Sequence, residues 1–263
     1  MGQYKNEKLK KDEIMNQSRH LFIYGKNTDY RSAFLRKMTA EYPIKPDSDS
    51  PMGLYFDEFS LPIIKPQAKD LDRDRIQIVG DEYFAFTVAY KLIKTTKSLN
   101  IRDLEDRLTH LLKMLDVRTS DELMKEMEKS IKFYLNYYVN YLTGKEELSI
   151  NGLKIPFINL ERFVIDYKKA INNSSYLAIV LDKKQQLAIP SVKAVNTHVG
   201  SRINSDISMK VVTEPDDWET SYDTRGQIVE RVHDYGTVEL DDSNKEFLLK
   251  LKKERERHYG QWT

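Results

Sequence analysis

The segment YLAIVLD, residues 176–182, constrains the fold of this chain more than any other stretch of the sequence. Its apolar residues run without interruption, whereas a strand with one wet face alternates apolar and polar residues. A strand buried on both faces is typical of a parallel sheet that carries helices on each side. Companion strands are predicted from apolar runs at residues 20–24 (HLFIY), 53–59 (GLYFDEF), 207–213 (ISMKVVT) and 236–240 (GTVEL).

Helical patterns separate these strands, and the alternation predicts an α/β fold with a three-layer parallel sheet of about five strands. Residues 81–145 have a helical pattern throughout, which we interpret as an insertion between the second and third strands. Asn100 is a candidate N-cap within it. The expected helices span residues 31–42, 81–98, 101–116, 120–142, 157–172 and 189–204. The predicted domain covers residues 18–242, between a polar segment at 1–17 and a charged helix within 243–263.

Composition excludes several classes of function. The chain has 263 residues, and its 42 Lys and Arg residues almost balance its 41 Asp and Glu residues, so net charge favours neither nucleic acid nor anionic membrane. The absence of cysteine excludes disulfides and thiolate chemistry and suits the reducing cytoplasm. No membrane span is expected from the apolar runs. No spacing typical of metal ligands is present among His20, His110, His198, His233 and His258.

The segment GKNTDYRS, after the first strand, has part of the phosphate-binding pattern G-x-x-x-x-G-K-[ST]. Gly25 and Ser32 match its first and last positions, but Tyr30 and Arg31 replace the glycine and lysine. A helix that starts near Arg31 would direct free backbone N–H groups toward an anion. The predicted cofactor-binding residues are Gly25, Lys26, Asn27, Thr28, Asp29, Tyr30, Arg31 and Ser32.

The substitutions in this loop have opposite implications for phosphate binding. Arg31 keeps the positive charge and offers a bidentate fork to phosphate, although it is bulkier than lysine. Tyr30 removes the conformational freedom of the glycine that it replaces, and Asp29 adds a negative charge beside an anion site. An ordinary loop remains the alternative interpretation.

A second predicted element is the acid at the end of YLAIVLD. Asp182 ends a buried strand, where a carboxylate can reach the magnesium shell of a bound nucleotide. The next residue is Lys183, whose ammonium cannot accept a proton from an attacking water at neutral pH. A core strand ended by a solvated aspartate is the alternative.

The order of these features resembles the AAA-type ATPase core of the ORC-like group and of related bacterial P-loop proteins. The resemblance covers about residues 18–242 and extends through PSVKAVNTHVGSRINSDISMKVVTEPDDW. It implies a sheet of order 5-1-4-3-2, with ATP and Mg as ligands. It places a polar sensor at Thr213 and Glu214. An arginine finger would be Arg225 or Arg231, and a surface arginine is the alternative for each.

The sequence departs from that family at functional positions. A glutamate usually follows the acid of the third strand in active ATPases, and Lys183 stands there instead. After the fifth strand about 20 residues remain, too few for the helical lid that normally carries another arginine. Asp57 and Glu58, in FDEF, are assigned a ribose-proximal or solvated role, because adjacent acids on a strand point to opposite faces.

Three functions follow from this sequence. The first is a degenerate P-loop module with weak or no ATP hydrolysis, which serves as a nucleotide-binding or assembly subunit with a protein partner or with itself. The second is a divergent ATPase, in which Arg31 binds phosphate while Ser32 and Asp182 hold magnesium. The third is a DNA-associated protein of a mobile-element or phage-related system, in which ATP has no part.

Overall fold

The computed structural model describes residues 11–25, 28–57, 59–67, 72–145, 150–183, 186–200, 206–213, 218, 220, 222–223, 225–230 and 234–240, and for residues 28–30 the backbone alone. Within these ranges the chain forms an α/β fold around one parallel sheet. The C-terminal helix expected within residues 243–263 lies outside the described part of the chain.

The five predicted strands are confirmed, and each begins within one residue of its expected start. The strands are β1 (His20–Tyr24), β2 (Met52–Phe56), β3 (Leu177–Asp182), β4 (Ile207–Val212) and β5 (Tyr235–Glu239). The described helices are α1 (residues 11–15), α2 (Thr28–Glu41), α3 (Arg73–Ser98), α4 (Leu104–Met114), α5 (Ser120–Leu142), α6 (Leu160–Ala170) and α7 (Ile189–Val199). A short 3-10 helix spans Ile150–Gly152.

The strands are hydrogen-bonded in the order β2-β3-β4-β1-β5, and every pairing is parallel. Counted from the β5 edge, the order is 5-1-4-3-2. In the register of the central strands, Val211 of β4 lies opposite both Leu181 of β3 and Phe22 of β1. Because all strands run the same way, their carboxyl ends meet at one edge of the sheet.

Helices cover both faces of the sheet, and each face has its own hydrophobic cluster. On one face α1 and α2 pack against β1, β3 and β4 through residues such as Phe34, Leu35 and Val180. On the other face α3 to α7 pack against the strands through residues such as Phe84 and Ile179. All six residues of β3 are buried, as its uninterrupted apolar sequence predicts.

The helices between β2 and β3 differ from prediction at their boundaries. α3 begins at Arg73 rather than residue 81, because the Asp72 side chain accepts hydrogen bonds from the backbone N–H groups of Asp74 and Arg75. The prediction of Asn100 as a cap is wrong. The residue before α4 is Asp103, which has a left-handed backbone (φ 56°) and makes no capping hydrogen bond with its side chain.

The last two predicted helices are shorter than expected. α6 starts at Leu160 rather than residue 157, since the Asn159 side chain accepts a hydrogen bond from the Arg162 N–H. α7 begins at residue 189 as predicted but ends at Val199, and Gly200 follows it. The residues expected to extend it, 201–204, are outside the described ranges.

A buried lysine ties the start of the chain to the central strand. Lys210 of β4 is fully buried, and its ammonium donates to the backbone carbonyls of Gln17 and Arg19, both at 2.7 Å. These carbonyls belong to the connection between α1 and β1, and that of Arg19 also accepts a hydrogen bond from the Ser208 hydroxyl of β4 at 2.9 Å. Burial lowers the pKa of the Lys210 ammonium from its ordinary value of 10.5 to about 7.

We expect Lys210 to make stability depend on pH above neutrality. Between pH 7 and 10.5 the unfolded chain binds more protons at this residue than the folded chain, so the free energy of unfolding rises with pH. Relative to a Lys210→Met variant, it should increase between pH 7 and 9 by about 1.4 kcal/mol per pH unit. Urea denaturation of both proteins across this range measures the difference. Parallel pH profiles would contradict a buried, titrating amine.

The end of α2 lies very close to β2 at Gly53. A Cβ atom at this position would stand 2.7 Å from Thr39 Cγ2 and 3.2 Å from the carbonyl oxygens of Thr39 and Tyr42. The Gly53 N–H donates to the Tyr42 carbonyl at 2.7 Å. Only glycine allows this approach, which holds the helix that follows the GKNTDYRS segment directly against the edge strand.

A Gly53→Ala substitution should therefore lower the free energy of unfolding by about 1–3 kcal/mol, because the added methyl group overpacks the contact. Adding Thr39→Ser, which removes the nearest methyl group, should recover part of this loss. Gly152→Ala is the matched control, since no heavy atom lies within 4 Å of its Cβ position. Chemical denaturation of the four proteins checks the expectation, and equal losses at Gly53 and Gly152 would refute it.

Candidate functional site

The connection from β1 to α2 is shorter than a phosphate-binding loop. β1 ends at Tyr24 and α2 begins at Thr28, so three residues, 25–27, connect them. The expectation that the helix starts near Arg31 is therefore wrong by about one turn. The backbone N–H groups left free at a helix start are those of its first four residues, here 28–31, and Ser32 already lies inside the helix. A helix start therefore follows the carboxyl end of β1 within a few residues.

Arg31 and Ser32 lie in the first turns of α2 with buried polar atoms. The Arg31 residue is 6% exposed, and its Nη1 donates to the Gly25 carbonyl at 3.2 Å. Its Nε atom has no hydrogen-bond partner, and neither has the buried Oγ of Ser32. The guanidinium is therefore held at the end of β1, and its Nε donor is unused.

Asp182 lies at the carboxyl end of β3 and is 1% exposed. Its Oδ2 accepts a hydrogen bond from the Tyr55 hydroxyl at 2.5 Å, and its Oδ1 is buried without a partner. Side chains alternate along a strand, so Asp182 shares its face with Ala178 and Val180, which pack in the cluster that includes α2. The carboxylate and the start of α2 therefore belong to the same face of the sheet.

Tyr55 and Arg36 complete a polar network around this carboxylate. The Arg36 guanidinium carbon lies 5.3 Å from the centre of the Tyr55 ring, and its Nη2 donates to Asp57 Oδ2 at 3.0 Å. Burial and the hydrogen bond to Asp182 raise the pKa of the Tyr55 hydroxyl well above its usual range. The Tyr55 hydroxyl and the carboxylates of Asp57 and Asp182 raise the pKa of Arg36.

Unpartnered polar atoms are concentrated at the predicted site. In the part of the chain that the structure describes, four side chains have a buried nitrogen or oxygen without a hydrogen-bond partner: Arg31 Nε, Ser32 Oγ, Asp182 Oδ1 and His198 Nδ1. Three of them were chosen from the sequence as phosphate or magnesium ligands. Buried polar atoms in native proteins nearly always have partners, so these exceptions require an explanation.

The structure also describes the predicted sensor residue Thr213 and the predicted arginine finger Arg225. Thr213 is buried directly after β4, and its N–H donates to the Ile23 carbonyl at 3.0 Å, beside the end of β1. Arg225 forms an ion pair with Asp223 within a tight turn, with Nη2 at 3.0 Å from Oδ2, and most of its side chain is exposed. Its partner lies two residues away, so the finger role gains no support from this geometry.

Several predicted residues are outside the described ranges. They are Lys26, Asn27, Glu58, Glu214 and Arg231, and the side chains of Thr28, Asp29 and Tyr30 are likewise not described. Lys183 is described and half-buried, and its N–H donates to the Val212 carbonyl at 3.1 Å. Asp57 makes an ion pair with Arg36 at the surface, which agrees with the solvated role.

Among the described histidines, His20 and His198 have structural surroundings. His20 Nδ1 accepts a hydrogen bond from the Met209 N–H at 3.0 Å, and burial with the neighbouring Lys210 lowers the pKa of its ring to about 4. His198, on α7, is partly buried beside Phe84, and the loss of hydration lowers the pKa of its ring as well. No cluster of three or more His, Cys, Asp or Glu residues with the geometry of a metal site occurs among the described residues.

Tyr55 and Arg36 were missed by the sequence reasoning. Tyr55 lies in GLYFDEF, where alternation along the strand sets it on the opposite face from Leu54 and Phe56. Arg36 lies one helical turn after Ser32, and thus on the same side of α2. Both signals were present, but they become informative only when β2 is known to lie beside β3.

Comparison of the chain with protein-family models, with curated proteins and with solved structures finds no match in any of the three. No helix in the described ranges has the length and apolar character that a membrane span requires.

The hydrogen bond between Tyr55 and Asp182 can be measured by its effect on stability. Tyr55→Phe should lower the free energy of unfolding by about 1–3 kcal/mol, because it leaves both oxygens of a buried carboxylate unpaired. In an Asp182→Ala background the same change should cost much less, so a double-mutant cycle should give a clear coupling energy. Tyr222→Phe, at an exposed tyrosine, is the control. Additive effects of the two changes would show that the hydrogen bond does not contribute.

Proposed function

We propose that the chain is a degenerate AAA-like P-loop module that binds ATP with magnesium at the start of α2 and the end of β3, and serves as a nucleotide-binding or assembly subunit with weak or no hydrolysis. One observation carries this proposal. Arg31, Ser32 and Asp182, which the sequence pattern singles out, each hold a buried polar atom without a partner.

The three unused atoms match the chemistry of a magnesium nucleotide. Arg31 Nε is a charged donor suited to a phosphate oxygen, whereas the Ser32 hydroxyl and the Asp182 carboxylate offer the oxygen ligands that magnesium prefers. Each unpartnered buried atom costs free energy in the absence of a ligand. A ligand that combines an anion with a divalent cation would satisfy all of them, so the residues fit these groups in chemical type.

The arrangement of the sheet supports the same location. In open parallel sheets, ligands bind outside the carboxyl ends of the strands. Gly25 and Thr213 directly follow β1 and β4 at that edge, and Asp182 is the last residue of β3. The strand order counted from β5, 5-1-4-3-2, is the order that the AAA resemblance implies.

Three features argue against efficient hydrolysis. Lys183 occupies the position after Asp182 where a proton acceptor would stand, and an ammonium cannot take that role. The three-residue connection before α2 leaves few backbone N–H groups for the terminal phosphate. One oxygen of Asp182 already accepts the Tyr55 hydroxyl. Binding without turnover fits these features best.

Calorimetric titration of ATP in the presence of magnesium tests the proposal. We expect binding to the unmodified protein, and Arg31→Met should weaken it by about tenfold or more through the loss of a charge-assisted hydrogen bond. Asp182→Asn should remove the dependence of ATP affinity on magnesium. Arg107→Met is the matched control, because Arg107 pairs with Asp47 and is not part of the site.

Thermal melting of each variant separates lost binding from lost folding, and Arg31→Lys, which keeps the charge, should retain part of the affinity. Failure of ATP to bind at millimolar concentration would refute the proposal. Magnesium-dependent phosphate release that is abolished by Asp182→Asn would instead establish a divergent ATPase.

A further inference from the structure

A cleft of about 440 Å³ lies between the last residue of β2 and the second half of α3. Phe56 forms its floor, and Tyr90, Lys91, Lys94 and Thr95 of α3 contribute to its walls. The volume falls within the usual range for sites that bind small organic molecules. Apolar rings and charged groups therefore line the same open cleft.

Aromatic rings hold the two lysines of the cleft in place. The Lys91 ammonium lies 4.4 Å from the centre of the Phe56 ring, and the Lys94 ammonium lies 5.5 Å from the centre of the Tyr90 ring. Such contacts orient a cation without neutralising its charge. The two ammonium groups are thus positioned before any ligand arrives.

Neither lysine has an acidic partner among the described residues. Neither ammonium takes part in an ion pair within that part of the chain. Asp57 and Glu128 are near enough to interact with Lys91 and Lys94 through space. Both carboxylates, however, are already paired, Asp57 with Arg36 at 3.0 Å and Glu128 with Lys132 at 2.9 Å. The cleft therefore keeps two positive charges that its own surroundings do not balance.

The partial burial of Lys91 also favours a bound anion. The residue is partly buried, and the loss of hydration lowers the pKa of its ammonium below the ordinary value. Lys94, three residues along the same helix, adds like-charge repulsion to this cost. An anion in the cleft would offset both effects.

The cleft is distinct from the nucleotide site proposed above. Phe56 and Tyr55 are consecutive residues of β2, so their side chains lie on opposite faces of the sheet. β2 is also separated from β1 by β3 and β4, a distance of about 14 Å at the usual strand spacing. A ligand held by Lys91 and Lys94 would not reach Arg31 and Ser32.

We infer that this cleft binds a small organic phosphate monoester. The phosphate lies between the ammonium groups of Lys91 and Lys94, where two compact positive charges match a dianion. The Thr95 hydroxyl makes no hydrogen bond with any described residue and is available to the phosphate. The organic part lies against the rings of Phe56 and Tyr90, which supply the apolar portion of the cleft.

Titration with phenyl phosphate, followed by the amide signals of a ¹⁵N-labelled protein, tests this inference near neutral pH, where the ester is mostly dianionic. We expect saturable shifts in residues 87–98 of α3 and none at Gly25. Lys91→Met or Lys94→Met should each weaken binding by about tenfold. Lys113→Met removes one exposed positive charge on α4, outside the cleft, and should leave the affinity unchanged.

The outcomes distinguish this site from the nucleotide site. Shifts confined to Gly25 and the start of α2, or an affinity that falls equally in all three variants, would overturn the inference. The same holds if no binding occurs up to about 10 mM, a concentration that would reveal a millimolar Kd. If inorganic phosphate binds as tightly as phenyl phosphate, the rings contribute nothing and the assignment to an organic ester is wrong. Lys94→Gln provides a second, milder variant if a methionine perturbs folding.

Discussion

The fold depends on keeping both faces of a parallel sheet away from water. β3 shows this requirement most clearly, since every one of its residues is buried. α2 covers one face, and the helices between β2 and β3 cover much of the other, where Ile179 and Leu181 join a cluster that continues into α3, α4, α5 and α6. These helices therefore form a layer of the domain itself and keep that face of the sheet away from water.

Local sequence predicted the strands well because a fully buried strand leaves an uninterrupted apolar run. The helix boundaries were less predictable, since single capping residues decide them: Asp72 and Asn159 set the starts of α3 and α6. α2 begins three residues earlier than predicted, because the phosphate-loop pattern assigns residues 25–30 to a loop. Asn27 and Asp29 are types favoured at a helix start, and that signal was overlooked.

At the candidate site, the sequence pattern identified Arg31, Ser32 and Asp182 but not their surroundings. Tyr55 and Asp182 are 127 residues apart in the chain, so their hydrogen bond could not be inferred before the strand order was known. The same applies to the cleft on α3. Lys91 and Lys94 look like an ordinary solvated helix face until β2 places Phe56 beneath one of them.

The end of β2 has a further consequence, which comes from the alternation of its side chains. Tyr55 touches the carboxylate of Asp182 on one face, and its neighbour Phe56 supports the Lys91 ammonium on the other. One peptide unit thus joins the two polar regions. A shift of the backbone at Tyr55 would also move Phe56, and any coupling between ligand binding at the two regions would be reciprocal.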